Sequence, residues 1–270
     1  MKEIVQFIKS LYPTKEYIPL HEPSFIGKEK EYLCDCIDST YVSSVGKYVD
    51  SFEKSIQDFT GSKYCVAIVN GTQALYLSLK LLGVGESDEV ITQSATFIAT
   101  SNAIKYTGAD CSFVDIDDNT FGMNPDSLAD YFSEFCISKD GLTYNKKSGK
   151  KISAVVPMHT FGFPCRMDEI HKVCKKYGVK LIEDAAESLG SFYKGRHTGT
   201  LGDIGILSFN GNKIITTGGG GMILTNDETL GKRAKHLSTT AKIPHKYEFI
   251  HDEIGYNFRM PNLNAAIGLS

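Results

Sequence analysis

A chain of 270 residues, 41% hydrophobic and 23% charged, can bury a full α/β core without a disulfide scaffold. Its 29 basic and 32 acidic residues leave a net charge of −3 with Lys and Arg dispersed, which argues against a nucleic-acid partner. No apolar run approaches the roughly 18–20 residues of a membrane span, and MKEIVQFIKSLYPTKEY lacks the apolar centre of a secretory leader, so no membrane contact and a cytoplasmic location are expected. Hydrophobic periodicity predicts helices over 27–40 and 46–60, a strand over Tyr64–Val69, a helix over Thr72–Leu82, a strand over Glu89–Thr92 and a helix over Phe97–Tyr106. Further along it predicts a strand over Cys111–Asp115, a helix over Pro125–Phe135 opened by Asn124, a strand over Ile152–Met158, a helix over Met167–Tyr177 and a strand over Val179–Glu183. Strands over Ile204–Phe209 and Met222–Thr225 and a helix over Leu230–Leu237 complete the alternation. This is the pattern of a mostly parallel sheet covered by helices. The polar stretch 140–150 reads as a surface excursion, and the final residues, begun by Pro261 and Asn262, read as a helix with no stop signal. Seven scattered cysteines with no C-x-x-C pair predict reduced thiols and no metal site.

In an open α/β sheet, ligands gather beyond the carboxyl ends of the strands, and four of those loops carry chemistry. Asn70-Gly71-Thr72-Gln73-Ala74 turns into a helix whose first N–H groups could hold a phosphate, or Thr72 could simply cap that helix. Asp184-Ala185-Ala186-Glu187 follows a buried strand, where a carboxylate needs a cation or a donor; a helix cap completed by Glu187 is the alternative. Lys213 stands between an apolar strand and four glycines at 218–221, where its amine could form a Schiff base with a carbonyl or be an ordinary loop lysine. Phe97 could stack on a planar ring or pack in the core. Together, a phosphate cradle, a buried aspartate, an aromatic plate and an accessible lysine are the parts of a pyridoxal phosphate site.

The order and spacing of six blocks resemble the DegT/DnrJ/EryC1/StrS sugar aminotransferases. They are Asn70–Ala74, Thr96–Ala103, His159-Thr160-Phe161-Gly162, Glu183–Glu187, Ser208–Lys213 and Gly255-Tyr256-Asn257-Phe258-Arg259-Met260. The resemblance implies fold type I: a large domain with a mixed, mostly parallel seven-stranded sheet and a small C-terminal domain, here largely missing. It places an N-terminal segment at 1–26, the pyridoxal 5'-phosphate domain at 27–250 and the start of a truncated C-terminal domain at 251–270.

By the same resemblance Lys213 is the catalytic residue, binding the cofactor and shuttling the substrate proton. Asp184 pairs with the pyridine nitrogen, and Glu187 lies near the ring hydroxyl. Gly71, Thr72, Gln73 and Ser208 surround the phosphate, Phe97 stacks on the ring, and Asn257 reaches the phosphate from the partner subunit of a homodimer. The implied reaction takes an amino group from an amino-acid donor, L-glutamate, to a nucleotide-linked keto sugar. Segments 18–27, 41–53 and 209–223 are most similar to the branch acting on UDP-4-keto-6-deoxy-N-acetylhexosamines in bacillosamine and legionaminic acid synthesis. One departure is Gly218-Gly219-Gly220-Gly221, where many members carry a glutamate.

The alternatives are a same-fold sugar dehydratase, disfavoured because Lys213 is not histidine, and a truncated, non-catalytic relative. A Rossmann dehydrogenase lacks its G-x-G-x-x-G after any strand, and a phosphate-loop NTPase would need its lysine after the glycines.

Overall fold

The computed structural model describes residues 1–270. An N-terminal helix α1 (Lys2–Leu11) precedes α2 (Glu29–Asp38) and α3 (Lys47–Thr60). Then come β1 (Tyr64–Ile68), α4 (Gly71–Leu81), β2 (Asp88–Gln93), α5 (Ile98–Tyr106), β3 (Asp110–Val114) and α6 (Pro125–Phe135). The middle of the chain supplies β4 (Cys136–Lys139), β5 (Leu142–Asn145), β6 (Lys151–Val156), α7 (Met167–Tyr177) and β7 (Lys180–Asp184). After the short hairpin β8 (Phe192–Tyr193) and β9 (Arg196–His197) follow β10 (Ile204–Ser208), β11 (Gly221–Thr225), α8 (Glu228–Ser238) and α9 (Asn262–Leu269). All seven long strands expected from the sequence form, and so do the helices between them.

Those seven strands make a continuous mixed sheet in the order β1-β11-β10-β7-β6-β2-β3. The β10–β7–β6–β2–β3 run is parallel, while β11 lies antiparallel to both β10 and β1. Alternation along each strand sends side chains to opposite faces. Val66, Ile182, Ile206 and Ile223 join Leu75 of α4, Ile104 of α5 and Leu237 of α8 on one side. On the other, Leu207, Met222 and Leu224 meet Phe52 and Ile56 of α3, and Val155 and Leu181 meet Leu128 of α6 and Ile170 of α7. The architecture is α/β, helices covering both faces of the sheet.

One expectation needs correction. The stretch 140–150 is no free excursion, because β4 and β5 form a hairpin and β5 adds to β6. The buried Glu89 anchors it, accepting from Ser112 Oγ and Tyr131 OH at 2.5 Å and from Asn145 Nδ2 and Ser148 Oγ at 2.9 Å. Within residues 251–270, the last helix packs on the large domain. Met260, Ala265 and Ala266 are fully buried with Phe52 and Phe209, because α9 presents small residues that let it approach α3 closely. Asn262 locks the join: its Oδ1 accepts from the Tyr48 N–H at 3.1 Å and its Nδ2 donates to the Tyr41 carbonyl at 2.7 Å. Every residue of α1 is exposed, and no helix of the structure is long and apolar enough to cross a membrane.

Burial pushes the Glu89 carboxyl up, but its four donors outweigh that and hold it below the usual carboxylate range. An acid depressed in the folded state stabilises above its unfolded value, and that stabilisation is lost as pH falls through the folded value. Glu89→Gln is therefore expected to cost about 1–3 kcal/mol at pH 7. In urea melts the gap from the parent should close as the pH falls below about 4. A pH-independent gap would contradict this account.

Candidate active site

The carboxyl ends of β1, β2, β6, β7 and β10 deliver five loops to one cavity of about 270 Å³. Gly71, Thr72, Phe97, Asp184, Glu187, Ser208 and Lys213 all line it, together with Met158 and Asn212. Seven of the residues singled out from the sequence are thus brought together. Gln73 and Asn257 are not among the lining residues. The Gln73 N–H is consumed at 2.8 Å by Asn70 Oδ1, which caps α4 in the place considered for Thr72. Asn257 lies in a bridge with Thr239, and its Oδ1 faces Arg259.

Close backbone approach builds the cradle end of the cavity. A Cβ on Gly71 would stand 2.9 Å from Ser208 Cβ, so glycine lets the amino end of α4 meet the end of β10. A Cβ on Gly221 would stand 2.6 Å from the Asn70 carbonyl carbon, so β11 slots between β1 and β10 only without a side chain there. The N–H groups of Gly71 and Thr72 head an 11-residue helix, whose positive end favours an anion.

Asp184 is 2% exposed. Its Oδ2 accepts from Thr100 Oγ1 at 2.7 Å and its Oδ1 from the Ala186 N–H at 3.2 Å, and no cationic side chain forms an ion pair with it. Burial pushes its carboxyl up. The helix-cap alternative for this loop is excluded, since a turn and not a helix follows β7. Thr100 had no separate signal in the sequence; its place one turn after Phe97 becomes meaningful only once the fold brings its hydroxyl to Asp184.

Lys213 is held by a loop tied at both ends: the Lys213 N–H donates to the Asn210 carbonyl, and Phe209 bonds Gly220 and Thr217 through the backbone. Asn264 of α9 donates to the carbonyls of Thr217 and Gly219 at 2.7 and 3.1 Å, fixing the glycine run. Lys213 Nζ lies 3.2 Å from Glu187 Oε1 and 5.5 Å from the centre of the Phe97 ring. The other Glu187 oxygen accepts the N–H of Phe161, a residue in the left-handed region at φ 52°. Lys213 and Asn212 also line a second cavity of about 320 Å³, walled by His21, Glu22, Ser24, Glu29 and Thr216. The amine therefore stands at the junction of two cavities.

This donor set fits pyridoxal phosphate. A buried carboxylate without a cation suits a pyridinium N–H, the α4 terminus with Ser208 suits a phosphate, and Phe97 offers a plate beside the only amine lining the cavity.

Comparison with known proteins agrees. The model of the DegT/DnrJ/EryC1/StrS aminotransferase family matches residues 23–270. The chain is 44% identical over 255 residues to the GDP-perosamine synthase of Escherichia coli O157:H7, covering 94% of this chain and 65% of that protein. It is 40% identical to the GDP-perosamine synthase of Caulobacter vibrioides, covering 94% and 64% respectively. Among solved structures, an aminotransferase from Psychrobacter cryohalolentis superposes with a TM-score of 0.81 at 34% identity, over 92% of this chain and 62% of that one. The chain thus spans less than two thirds of the length of these relatives. A match over nearly the whole chain, with the six motif blocks on the five strand-end loops and the segment leading into α9, identifies it as a member of the DegT/DnrJ/EryC1/StrS aminotransferase family, a family of pyridoxal phosphate-dependent fold type I enzymes.

Proposed function

We propose that this chain acts as a sugar aminotransferase, moving an amino group from an amino acid, L-glutamate, to a nucleotide-linked keto-deoxy sugar in amino-sugar and surface-polysaccharide synthesis. The observation that carries this reading is the single amine of Lys213, set between an uncompensated buried carboxylate and a helix terminus. Bound pyridoxal phosphate supplies an aldehyde that captures amines and a ring that accepts electrons from the substrate carbon.

The residues have separable tasks. Asp184, oriented by Thr100, would hold a proton on the ring nitrogen. Gly71, Thr72 and Ser208 would hold the phosphate, and Phe97 would orient the ring plane. Lys213 would bind the cofactor through its amine and would also serve to move the proton at the substrate carbon. Glu187 Oε1, 3.2 Å from Nζ, orients that amine and would lie near the ring hydroxyl. The second cavity, reached past the same amine and lined by His21, Ser24, Glu29 and Thr216, offers polar partners for a hydroxylated substrate. Asn257, which does not line the cavity of its own chain, would serve the site of a second copy in a homodimer.

Segments 18–27, 41–53 and 209–223 favour a UDP-linked 4-keto-6-deoxy-N-acetylhexosamine, whereas two of the relatives are named for a GDP-linked sugar. The test is a spectral titration of the purified chain loaded with pyridoxal phosphate. L-Glutamate alone should abolish the visible band, and the correct keto sugar nucleotide, GDP- or UDP-linked, should restore it and yield an amino sugar. A loaded protein whose band ignores every amino acid would overturn the aminotransferase reading.

A further inference from the structure

Behind Asp184 lies a second carboxylate that the chemistry above leaves unused. Neighbouring residues of a strand point to opposite faces, so Glu183 of β7 turns away from the cavity that Asp184 lines. Glu183 and His159 are both 0% exposed. Glu183 Oε1 accepts the N–H groups of Leu201 and Gly202, each at 2.6 Å, and Oε2 accepts the Gly199 N–H at 2.9 Å and His159 Nε2–H at 3.0 Å. The pair is joined to Asp184 by the backbone, since the His159 N–H donates to the Asp184 carbonyl at 3.0 Å and the Asp184 N–H to the Pro157 carbonyl at 2.9 Å.

The charge of the pair follows from its hydrogen bonds. Burial works against an imidazolium, while the contacts with Cys165 and Glu183 favour one. The Cys165 N–H decides otherwise: it points at His159 Nδ1 from 3.1 Å and leaves no place for a second ring proton. His159 is thus neutral, Glu183 is ionised, and the pair carries one negative charge. The other groups around it do not cancel that charge. His197 accepts the Gly190 N–H at Nε2 and donates from Nδ1 to the Thr198 carbonyl, so it is neutral as well, and burial lowers its titration. The Cys165 thiol donates to the Met158 carbonyl, and Asp203 is paired with Lys180. On the cavity side, Lys213 and Glu187 pair with each other.

We propose that the Glu183–His159 pair is a hidden electrostatic support of the cofactor site. Through β7 it holds Asp184 in place and sets a fixed negative charge behind it, so that the site selects a protonated ring nitrogen over a neutral one. The inference rests on pyridoxal phosphate binding at Asp184 as proposed above. Glu183 touches no ligand and is a positioning residue. A negative charge behind Asp184, within the protein, favours the cationic, protonated ring by about tenfold, or about one pH unit.

Nitrogen-15 NMR tests it in two steps. In the cofactor-free chain labelled at histidine, His159 should appear as the neutral Nε2–H form and should not titrate between about pH 6 and 9. A charged His159 would overturn this proposal alone, whatever the chain binds. Next, pyridoxal phosphate labelled at its ring nitrogen is loaded into the parent chain, Glu183→Gln and His159→Gln. Glu183→Gln should lower the ring-nitrogen titration by about one unit. His159→Gln keeps a donor and the Glu183 charge, so it should leave that titration in place while lowering the melting temperature. Equal ring titration in the parent and a folded Glu183→Gln would overturn the proposal; if that variant does not fold, the histidine spectrum decides. A parent chain that takes up no pyridoxal phosphate overturns the proposed function, and this inference with it.

Discussion

Lys213→Ala is expected to abolish covalent capture of pyridoxal phosphate and to lower turnover by at least about 10⁴-fold. The same amine is assigned both capture of the cofactor and movement of the substrate proton, and proton transfer alone contributes about 10²–10⁴-fold. No other lysine lines the cavity to take its place. The fold should survive, because Glu187 keeps the Phe161 N–H as a partner when the ion pair at 3.2 Å is lost. That predicts a change in melting temperature of no more than about 2–4 °C for a chain of this size. Lys213→Arg should be equally inactive, since guanidinium keeps the charge without a free amine to react. The check is borohydride treatment of the loaded proteins followed by mass analysis. Cofactor fixed in Lys213→Ala at the parent's level would show that another residue is the nucleophile.

Asp184→Asn should move two quantities in opposite directions. Burial pushes the Asp184 carboxyl up, so the folded cofactor-free chain holds that proton over a window where the unfolded chain has lost it. Across that window, from the unfolded value of about 3.9 up to the raised folded one, stability falls as pH rises, so at neutral pH the carboxyl is a burden to the fold. An amide removes the burden and can still accept from Thr100, so the cofactor-free melting temperature at pH 7 should rise by about 2–4 °C per kcal/mol relieved. Affinity for pyridoxal phosphate should fall about 10- to 100-fold, the worth of a charge-assisted hydrogen bond. Turnover should fall further, because the amide cannot keep the ring nitrogen protonated. Calorimetry of the free chain together with a cofactor titration separates the two effects. A cofactor-free Asp184→Asn that melts below the parent would show that the carboxylate is not the strained element described here.

The sheet was legible because its strands are short runs with buried Ile and Val, such as Ile204–Ser208 and Lys151–Val156, and because Asn124-Pro125 announces α6 with a cap and a proline. The β4–β5 hairpin was not, since Leu142–Asn145 alternates weakly and is fixed by the distant Glu89. The core role of α9 was hidden for a similar reason. Its small residues gain meaning only against Phe52, more than 200 positions away. At the site, the chemistry of each strand-end loop could be read from residue type. Geometry that needs two strands at once could not: Thr100 under Asp184, and His159 behind Glu183.

The pairing of β1 has a consequence for how the molecule is made. Its ladder partner is β11, in the register Tyr64↔Thr225 to Ile68↔Gly221, and β11 in turn separates it from β10. Until residues 221–225 have left the ribosome, β1 has no sheet to join, and Gly71 cannot reach Ser208. The parallel half from β2 to β7 pairs over shorter separations and can assemble first. Closing a loop of this span is slow and leaves an unpaired strand edge exposed meanwhile, so the growing chain passes through an aggregation-prone stage in which half the sheet exists and the anion cradle does not.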